Sequence, residues 1–575
     1  MSSLDWLVLV FTIGFITAYG IWKTRGSKNT KEYLLSKRMN WWTIGLSIMA
    51  TQASAITFLS TPGQAFSDGM RFVQFYFGLP LAMIVLCITA VPLYQRLHVY
   101  TAYEFLEKRF DVRTRSLGAF LFLIQRGLAA GLTIYAPALV LSTILQWDIF
   151  YVNFLLGGVV VLYTVVGGTE AVSVTQKQQM FVIFIGLIVA LYMVFHLMPQ
   201  EVGVWQAMQI AGKAGKLESI DWSFDWNNRY NIWSGIIGGF FLQLSYFGTD
   251  QSQVQRYLGG KSTTESRLGL IFNGFIKIPM QFLILFIGAM VFVFYQFHQP
   301  PLYFNQVEAQ KARQSEQGAT FRALEEKYQQ LFWEKRQQTL RLAEALRQNN
   351  PAEIAQTQQL LKQQTQIANA IRQQAQAIIH QQNELEGKGK SADTNYVFLT
   401  FVIQNLPKGL VGLLIALVIC ASMSSTSSEL NALASTTVID VYKRSIKPNA
   451  DESHYLKVSK WMTLAWGAYA ILFAELASSL SNNLIEAVNI LGSLFYGTIL
   501  GIFLAAFYVK RIKAKAIFQA AILAELIVLG CWKLTTISYL WFNVIGCIAV
   551  VLLGLLLQLF HKQHLDGTSF AHLNK

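Results

Sequence analysis

The chain has 575 residues, of which 53% are hydrophobic and 14% charged, a balance too apolar for a soluble protein of this size. The net charge of +14 would suit nucleic acid, but much of the Lys and Arg sits in short loops between apolar runs, where it carries topology. No nucleic-acid partner is expected. The four cysteines, Cys87, Cys420, Cys531 and Cys547, fall within or at the end of apolar runs and show neither disulfide nor zinc spacing.

Thirteen apolar runs are predicted to cross a bilayer, near residues 6–22, 42–63, 72–94, 117–145, 150–166, 180–198, 232–258, 268–297, 409–439, 461–480, 484–508, 516–532 and 540–560. Most reach the ~20 residues a spanning helix needs. Nothing in residues 1–5 is basic and no small-residue cleavage site follows, so the first run is expected to be an anchor and not a removed leader.

Two of these runs are interrupted, in matching positions of the two halves. The first break is Ala50-Thr51-Gln52-Ala53-Ser54-Ala55-Ile56-Thr57, closed by Thr61-Pro62-Gly63; the second is Gly248-Thr249-Asp250-Gln251-Ser252-Gln253. A broken helix frees backbone carbonyls inside the bilayer, which only protein, an ion or a solute can satisfy. Paired breaks of this kind point to the ion and substrate site of a carrier.

Basic clusters recur at Lys23, Arg25, Lys28, Lys31, Lys37 and Arg38, at Arg96, Lys108, Arg109, Arg113 and Arg115, at Lys261 and Arg267, at Lys443, Arg444 and Lys447, and at Lys510, Arg511, Lys513 and Lys515. Thirteen alternating spans put them all on one side. Positive-inside bias makes that side cytoplasmic, leaving the N-terminus outside and the C-terminus inside a cell (plasma or inner) membrane. The predicted division is 1–304 for spans one to eight (first core half 41–199, second half from about 230), 305–393 for an insert, 394–560 for spans nine to thirteen, and 561–575 for a cytoplasmic tail.

The insert is polar, with apolar residues at Phe321, Leu324, Tyr328, Leu331, Leu342 and Ala345, then at Ile354, Leu361, Ala368, Ile371, Ala375 and Ile378. This heptad-like spacing predicts two coiled-coil-like helices, separated at Asn349-Asn350-Pro351, where proline stops one helix and suits the start of the next. The hairpin is expected to project on the extracytoplasmic side over roughly 50 Å. It reads either as a solvated spacer or as a surface for a protein partner or a second copy.

Ser424-Ser425 follows Cys420-Ala421-Ser422-Met423 and precedes Asn431 and Asp440-Val441-Tyr442-Lys443-Arg444. With Thr101 to Phe110 (TAYEFLEKRF), Tyr135-Ala136-Pro137-Ala138, Gly167-Gly168-Thr169-Glu170-Ala171-Val172 and Gln253-Val254-Gln255-Arg256-Tyr257-Leu258, the chain closely resembles the sodium:solute symporter family over nearly all of its length except the hairpin. The wording around Arg96-Leu97-His98 and Tyr135-Ala136-Pro137 is similar to the iodide, monocarboxylate and multivitamin branch. The resemblance implies an all-α membrane protein with a LeuT-type inverted-repeat core of five plus five spans. It also implies a coupling sodium ion as the only inorganic ligand, with no further cofactor and no enzyme activity.

The resemblance places sodium among the carbonyls of Ala50, Ala53 and Ala421 and the hydroxyls of Ser424 and Ser425. Hydroxyls clustered deep in a membrane helix need partners, although serines also bond back to their own helix. A second sodium site of some members uses an Asp where this chain has Gln176, after Thr175. Ser427 and Ser428 keep its hydroxyl half and Lys177 stands beside it, so one sodium per cycle is expected. The solute is expected beside Gln52, Ser54, Thr57, Tyr76, Tyr246, Phe247, Lys277 and approximately Asn489. Sugar-transporting members carry Glu at Tyr76 and His at Thr57, so a sugar-type hydroxyl network is not implied, though Lys277 matches their lysine.

Arg126 is the most informative single side chain. An ionised residue part-way through a span costs ~2.5–3.5 kcal/mol on insertion scales and should face a cavity or a counter-charge. The resemblance to sialic-acid-transporting members, with an arginine at a similar place, implies that Arg126 anchors an anionic solute group; a structural ion pair with Glu486 or another buried acid is the alternative. The overall reading is a sodium-coupled symporter importing a small organic solute by alternating access, with a carboxylate or an acidic sugar as the anionic candidates. Two rivals stay open: a proton-coupled carrier using Glu486 or Asp250, and a carrier-like sensor or scaffold acting through the hairpin.

Overall fold

The structure is a computed structural model that describes residues 1–23, 39–145, 147–385, 393–476 and 484–561, with only the backbone of Ile21, Lys23, Glu170 and Ala171. The first basic loop, predicted at Arg25, Lys28, Lys31, Lys37 and Arg38, the last residues of the run at 461–480, and the tail from 562 lie outside the described residues. Among the described residues the chain is helical throughout, with one isolated bridge between Met39 and Gly260.

The helices in chain order are α1 Ser3–Lys23, α2 Trp41–Gln52, α3 Ala55–Asp68, α4 Leu79–Ile88, α5 Ala90–Leu97, α6 Tyr103–Arg109, α7 Val112–Leu145, α8 Ile149–His196 and α9 Val204–Lys213. Then come α10 Gly239–Gly248, α11 Gln251–Leu258, α12 Thr263–Phe297, α13 Gln306–Gln314, α14 Gly318–Arg347 and α15 Pro351–Leu385. They end with α16 Val397–Asn405, α17 Leu410–Thr436, α18 Glu452–Leu476, α19 Leu484–Tyr508, α20 Ala514–Leu534 and α21 Tyr539–Phe560.

Among the described residues ten helices are long and apolar enough to cross a membrane, eleven when the bent pair α2–α3 counts as one span. Large apolar side chains stand exposed along them, among them Leu7, Phe11 and Phe15 on α1 and Leu552, Leu556 and Leu559 on α21. Water would penalise such faces and lipid would not: this is a multi-pass membrane protein. The predicted runs at 232–258 and 461–480 are not among the ten or eleven. The first is divided into the short α10 and α11, and α18, which covers the second, carries Glu452, Lys457, Lys460 and Glu475.

Both interruptions are real. At the first, Ala53 (φ −86°, ψ 74°) and Ser54 (φ −76°, ψ 169°) leave the helical region and the axis bends by 62°. At the second, Asp250 is extended (φ −79°, ψ 118°) between α10 and α11. The expectation that Thr61-Pro62-Gly63 closes the first break is corrected, since α3 runs through Pro62 and Gly63 to Asp68. Membrane helices tolerate proline where neighbours pack closely, and here a Cβ added to Gly288 of α12 would lie 2.2 Å from the Pro62 carbonyl oxygen. Gly168, inside α8, adopts φ 56° and ψ −162°, a region only glycine enters freely, so the GGTEA stretch marks a kink dividing two apolar spans.

The insert forms two helices, α14 and α15, packed on each other across a link at 348–350. Phe321, Leu324, Tyr328 and Leu331 bury against Ala368, Ala375 and Ile379. It is not a free-standing coiled coil. Leu342, Ala343 and Leu346 near the tip join the core of the membrane body instead, Arg336 donates to the Phe297 carbonyl (3.0 Å) and Gln358 donates to the Lys213 carbonyl (2.9 Å). The predicted projection is therefore corrected: the apolar stripe is shared between the partner helix and the body, and the hairpin lies down on α9 and the end of α12.

Candidate cation and solute site

The first break faces α17. The Ser424 hydroxyl donates to the Ala50 carbonyl at 2.9 Å, and among the described residues it is the only side chain donating to a carbonyl of the stretch 50–54. Ser425 lies on the same helix, but its hydroxyl bonds back to the carbonyls of Ala421 (3.1 Å) and Ser422 (3.2 Å). Ala50, Ala53, Ala421, Ser424 and Ser425 are all buried. The break thus presents carbonyl and hydroxyl oxygens with no formal charge, a donor set that suits a hard monovalent cation. For an ion to sit between Ser424 and Ala50 the hydroxyl hydrogen must rotate away, exposing lone pairs on both oxygens.

Gln176 occupies the neighbouring position. Its amide nitrogen donates to the hydroxyls of Thr51 (3.2 Å), Ser424 (3.1 Å) and Ser428 (3.0 Å), while its oxygen accepts from Ser47. Thr51 and Ser428 also meet each other at 3.0 Å. A carboxylate there would leave those hydroxyl oxygens for a cation. The carboxamide fills the space with its own two N–H groups.

The second break is closed by phenols. The carbonyls of Phe247, Gly248 and Thr249 accept from the hydroxyls of Tyr257 (3.0 Å), Tyr94 (3.0 Å) and Tyr103 (2.9 Å). Asp250 caps α11 through Ser252 (backbone nitrogen 2.9 Å, hydroxyl 2.7 Å) and turns its other oxygen to Arg126 and to the Tyr496 hydroxyl, which donates at 2.9 Å. Arg126 is fully engaged at its two terminal nitrogens: one donates to Glu429 at 3.1 Å, the other to Asp250 and to Tyr496 (2.6 Å).

Of the alternative expected for Arg126, an ion pair with Glu486 or another buried acid, the Glu486 half is corrected, because it pairs with Arg229; the buried acids that Arg126 meets are Asp250 and Glu429. The expectation of a guanidinium free to grip a carboxylate bidentately is corrected as well, since Glu429 and Asp250 hold both terminal nitrogens and only the buried Nε lacks a partner. Glu429 was missed in the sequence. The signal was there: an acid inside an apolar helix needs a function or a counter-charge, and it sits one turn beyond Ser425. Thr133 holds its second oxygen at 2.9 Å.

The remaining solute candidates line the two breaks and the helices beside them. Gln52 keeps a buried carbonyl oxygen without a partner, Ser54 is the N-cap of α3 and Thr57 is buried in its first turn. Phe247 is buried, and Tyr246 meets its ring edge-on with ring centres 4.9 Å apart and accepts from Gln253 at 2.6 Å. Asn489 has an unpartnered buried amide nitrogen, two turns before Tyr496 on α19.

Lys277 is fully buried, its ammonium 5.6 Å from the ring centre of Tyr76 and bonded to nothing among the described residues. Asn273 and Gln281, one turn to either side on α12, also have buried amides without partners. Their four-residue spacing with Lys277 was readable, and a polar stripe on an apolar helix points inward. Unpaired buried groups of this density are costly and would gain from a polar partner.

The motif stretches outside the site also meet. Thr101 donates to Asp440 at 2.8 Å, Arg115 bridges Asp440 (2.8 Å) and Glu107 (2.7 Å), and Arg444 reaches Glu107 at 2.7 Å. Gln251 ties the loop to the second break, accepting from the Ala102 nitrogen (3.1 Å) and donating to the Tyr100 carbonyl (2.9 Å).

A family model described as the sodium:solute symporter family matches residues 33–317 and 375–524; the stretch between, 318–374, is most of the hairpin. The sodium/sialic acid symporter NanT of Aliivibrio fischeri is 24% identical over 579 residues, covering 100% of this chain and 96% of its own length. The human sodium/iodide cotransporter is 29% identical over 295 residues, 51% of this chain and 45% of its own. A solved structure of a Na+-coupled sialic acid symporter in a substrate-bound, outward-open state has the same fold, with a TM-score of 0.74 and 22% identity over 97% of this chain and 98% of that one. The chain belongs to the sodium:solute symporter family, whose members are secondary transporters and not enzymes.

Proposed function

We propose that this protein is a sodium-coupled symporter that imports a small organic anion by alternating access, moving one sodium ion per cycle. The observation that carries the reading is the Ser424–Ala50 contact: an oxygen pair that spans the first break and α17 and that a monovalent cation can bridge. Sodium binding there ties α2 to α17 and favours a conformation with a formed solute pocket. Coupling is reciprocal, so a hundredfold gain of solute affinity from sodium, ~2.7 kcal/mol, is returned as a hundredfold gain of sodium affinity from solute. The Gln176 amide, lying among the hydroxyls a second ion would use, supports a single site.

Lys277 is the proposed anchor for the solute's charge. Among the described residues its buried ammonium has neither a counter-ion nor a hydrogen bond, with Tyr76 beside it and Asn273 and Gln281 flanking it, whereas Arg126 organises Asp250, Glu429 and Tyr496 at the second break. Gln52, Ser54, Thr57, Tyr246, Phe247 and Asn489 complete the proposed pocket. Positive-inside bias of the basic loops supports a hairpin outside the cell, with the N-terminus outside and the C-terminus cytoplasmic. A proton-coupled cycle through Glu486 or Asp250 is less well supported, because Arg229 and Arg126 already hold these acids. The test is uptake into proteoliposomes across monocarboxylates, acidic sugars, neutral sugars and vitamins. Concentrative uptake of an acid under a sodium gradient is expected, and uptake that ignores replacement of sodium by choline would end the reading. Deleting 305–393 separates carrier from scaffold, since a carrier keeps its flux.

A further inference from the structure

Where the hairpin lies over the body it leaves a cavity of about 910 Å³, bounded by α14 and α15 above and by the ends of α3, α9 and α12 below. Its wall is strongly basic: Lys213, Lys216, Lys335, Lys362 and Arg372 stand against one carboxylate, Glu218. That carboxylate is engaged by Arg71 at 2.6 Å, and Arg372 by Asp393 at 2.7 Å. Lys216 donates to the Ser67 carbonyl, sits 4.7 Å from the ring centre of Phe292 and feels Asp68.

Lys335 differs from these. It is half-buried in the cavity wall, and its ammonium has no hydrogen bond or ion pair with any described residue. Burial, together with the nearby charges of Arg372 and Lys216, pushes it down to about 8. Cations gathered in a recess of low dielectric repel one another and focus a positive potential that an anion relieves. Phe332 and Tyr328 supply apolar wall, and Gln366 and Asn369 supply amides, the usual mixture of a small-molecule site.

We propose that this chamber is a second solute site that binds a hydroxylated organic carboxylate, its charge held by Lys335 and Lys216. Phe66 and Ser67 in the floor belong to α3, the helix that begins at the first break, so an occupant touches the same helix that leads to the central site. The place of the chamber on the entry path rests on the transport reading. Its binding chemistry does not, because no sodium ligand lies within it.

The test is calorimetric titration of the full-length protein in detergent with N-acetylneuraminate and with glucuronate, in sodium and in choline. Saturable binding in choline is expected. Lys335→Gln should weaken it by about tenfold, Lys335→Arg should restore it, and neutral N-acetylmannosamine should not compete. Absence of binding of both acids in choline, indifference to Lys335→Gln in a variant of unchanged melting temperature, or equal binding of the neutral sugar would each overturn the proposal. Failure of the central sodium reading shows separately, as the lack of any additional binding when sodium replaces choline.

Discussion

The two broken helices solve one problem in opposite ways. Each frees carbonyls in the middle of the membrane. At the second break three tyrosine hydroxyls, from Tyr94, Tyr103 and Tyr257, take the carbonyls of Gly248, Thr249 and Phe247, and Asp250 is held by Arg126 and Tyr496. At the first break one hydroxyl, Ser424, reaches Ala50, and the neighbouring contacts are among movable hydroxyls and one amide. A break closed by phenols is a finished joint. One served by a rotatable serine can exchange that contact for an ion, and this asymmetry is what supports the proposed coupling site at the first break.

The harshest test of the joint is Asp250→Asn. It leaves Arg126 buried with Glu429 as its one remaining acid, and removing a partner from a buried pair costs about 3–5 kcal/mol. The expected outcome is a large drop in folded yield and melting temperature, and a variant as stable as wild type would show that the second break is not held by this pair. The ion side is tested by Ser424→Ala with Ser425→Ala. Losing two proposed ligands at about 1–1.5 kcal/mol each should raise the sodium concentration for half-maximal uptake by about thirtyfold to somewhat over a hundredfold with little change in melting temperature.

Tyr103→Phe should do the reverse. The Thr249 carbonyl loses its donor, lowering stability by about 1–2 kcal/mol, while the sodium dependence of whatever uptake remains should keep its midpoint. A sodium shift there would erase the contrast between the breaks. The gentlest change is Gln176→Asp, which replaces an amide by a carboxylate among Thr51, Ser424 and Ser428. Its expected effect is a steeper sodium dependence, with the Hill coefficient of uptake moving from about 1 towards 2. An unchanged slope would mean that the amide is not what limits the cycle to one ion.

Most of the spans, both breaks and the two hairpin helices were legible because each is written in neighbouring residues: an apolar run long enough for a bilayer, polar residues inside it, a proline after two asparagines. Local spacing also marked Arg126 as needing a partner. It could not say which one. Asp250 and Glu429 lie on α11's cap and on α17, far along the chain, and Glu486, equally plausible in one dimension, went to Arg229. Pro62 reads as a stop on its own, yet Gly288 of another helix packs against it and α3 continues.

What the amino-acid order alone determined is therefore what the bilayer and the backbone enforce locally: which segments must be helical, where they must break, and that the breaks need oxygen or hydroxyl partners. Which partners they receive was decided by tertiary packing. Contacts such as Tyr103 to Thr249, Gln176 to Ser428 and the hairpin tip on α9 join residues more than a hundred positions apart or faces with equal claims on the same apolar stripe. Hydrogen bonds and ion pairs act over a few ångströms, so only the folded arrangement of helices assigns them.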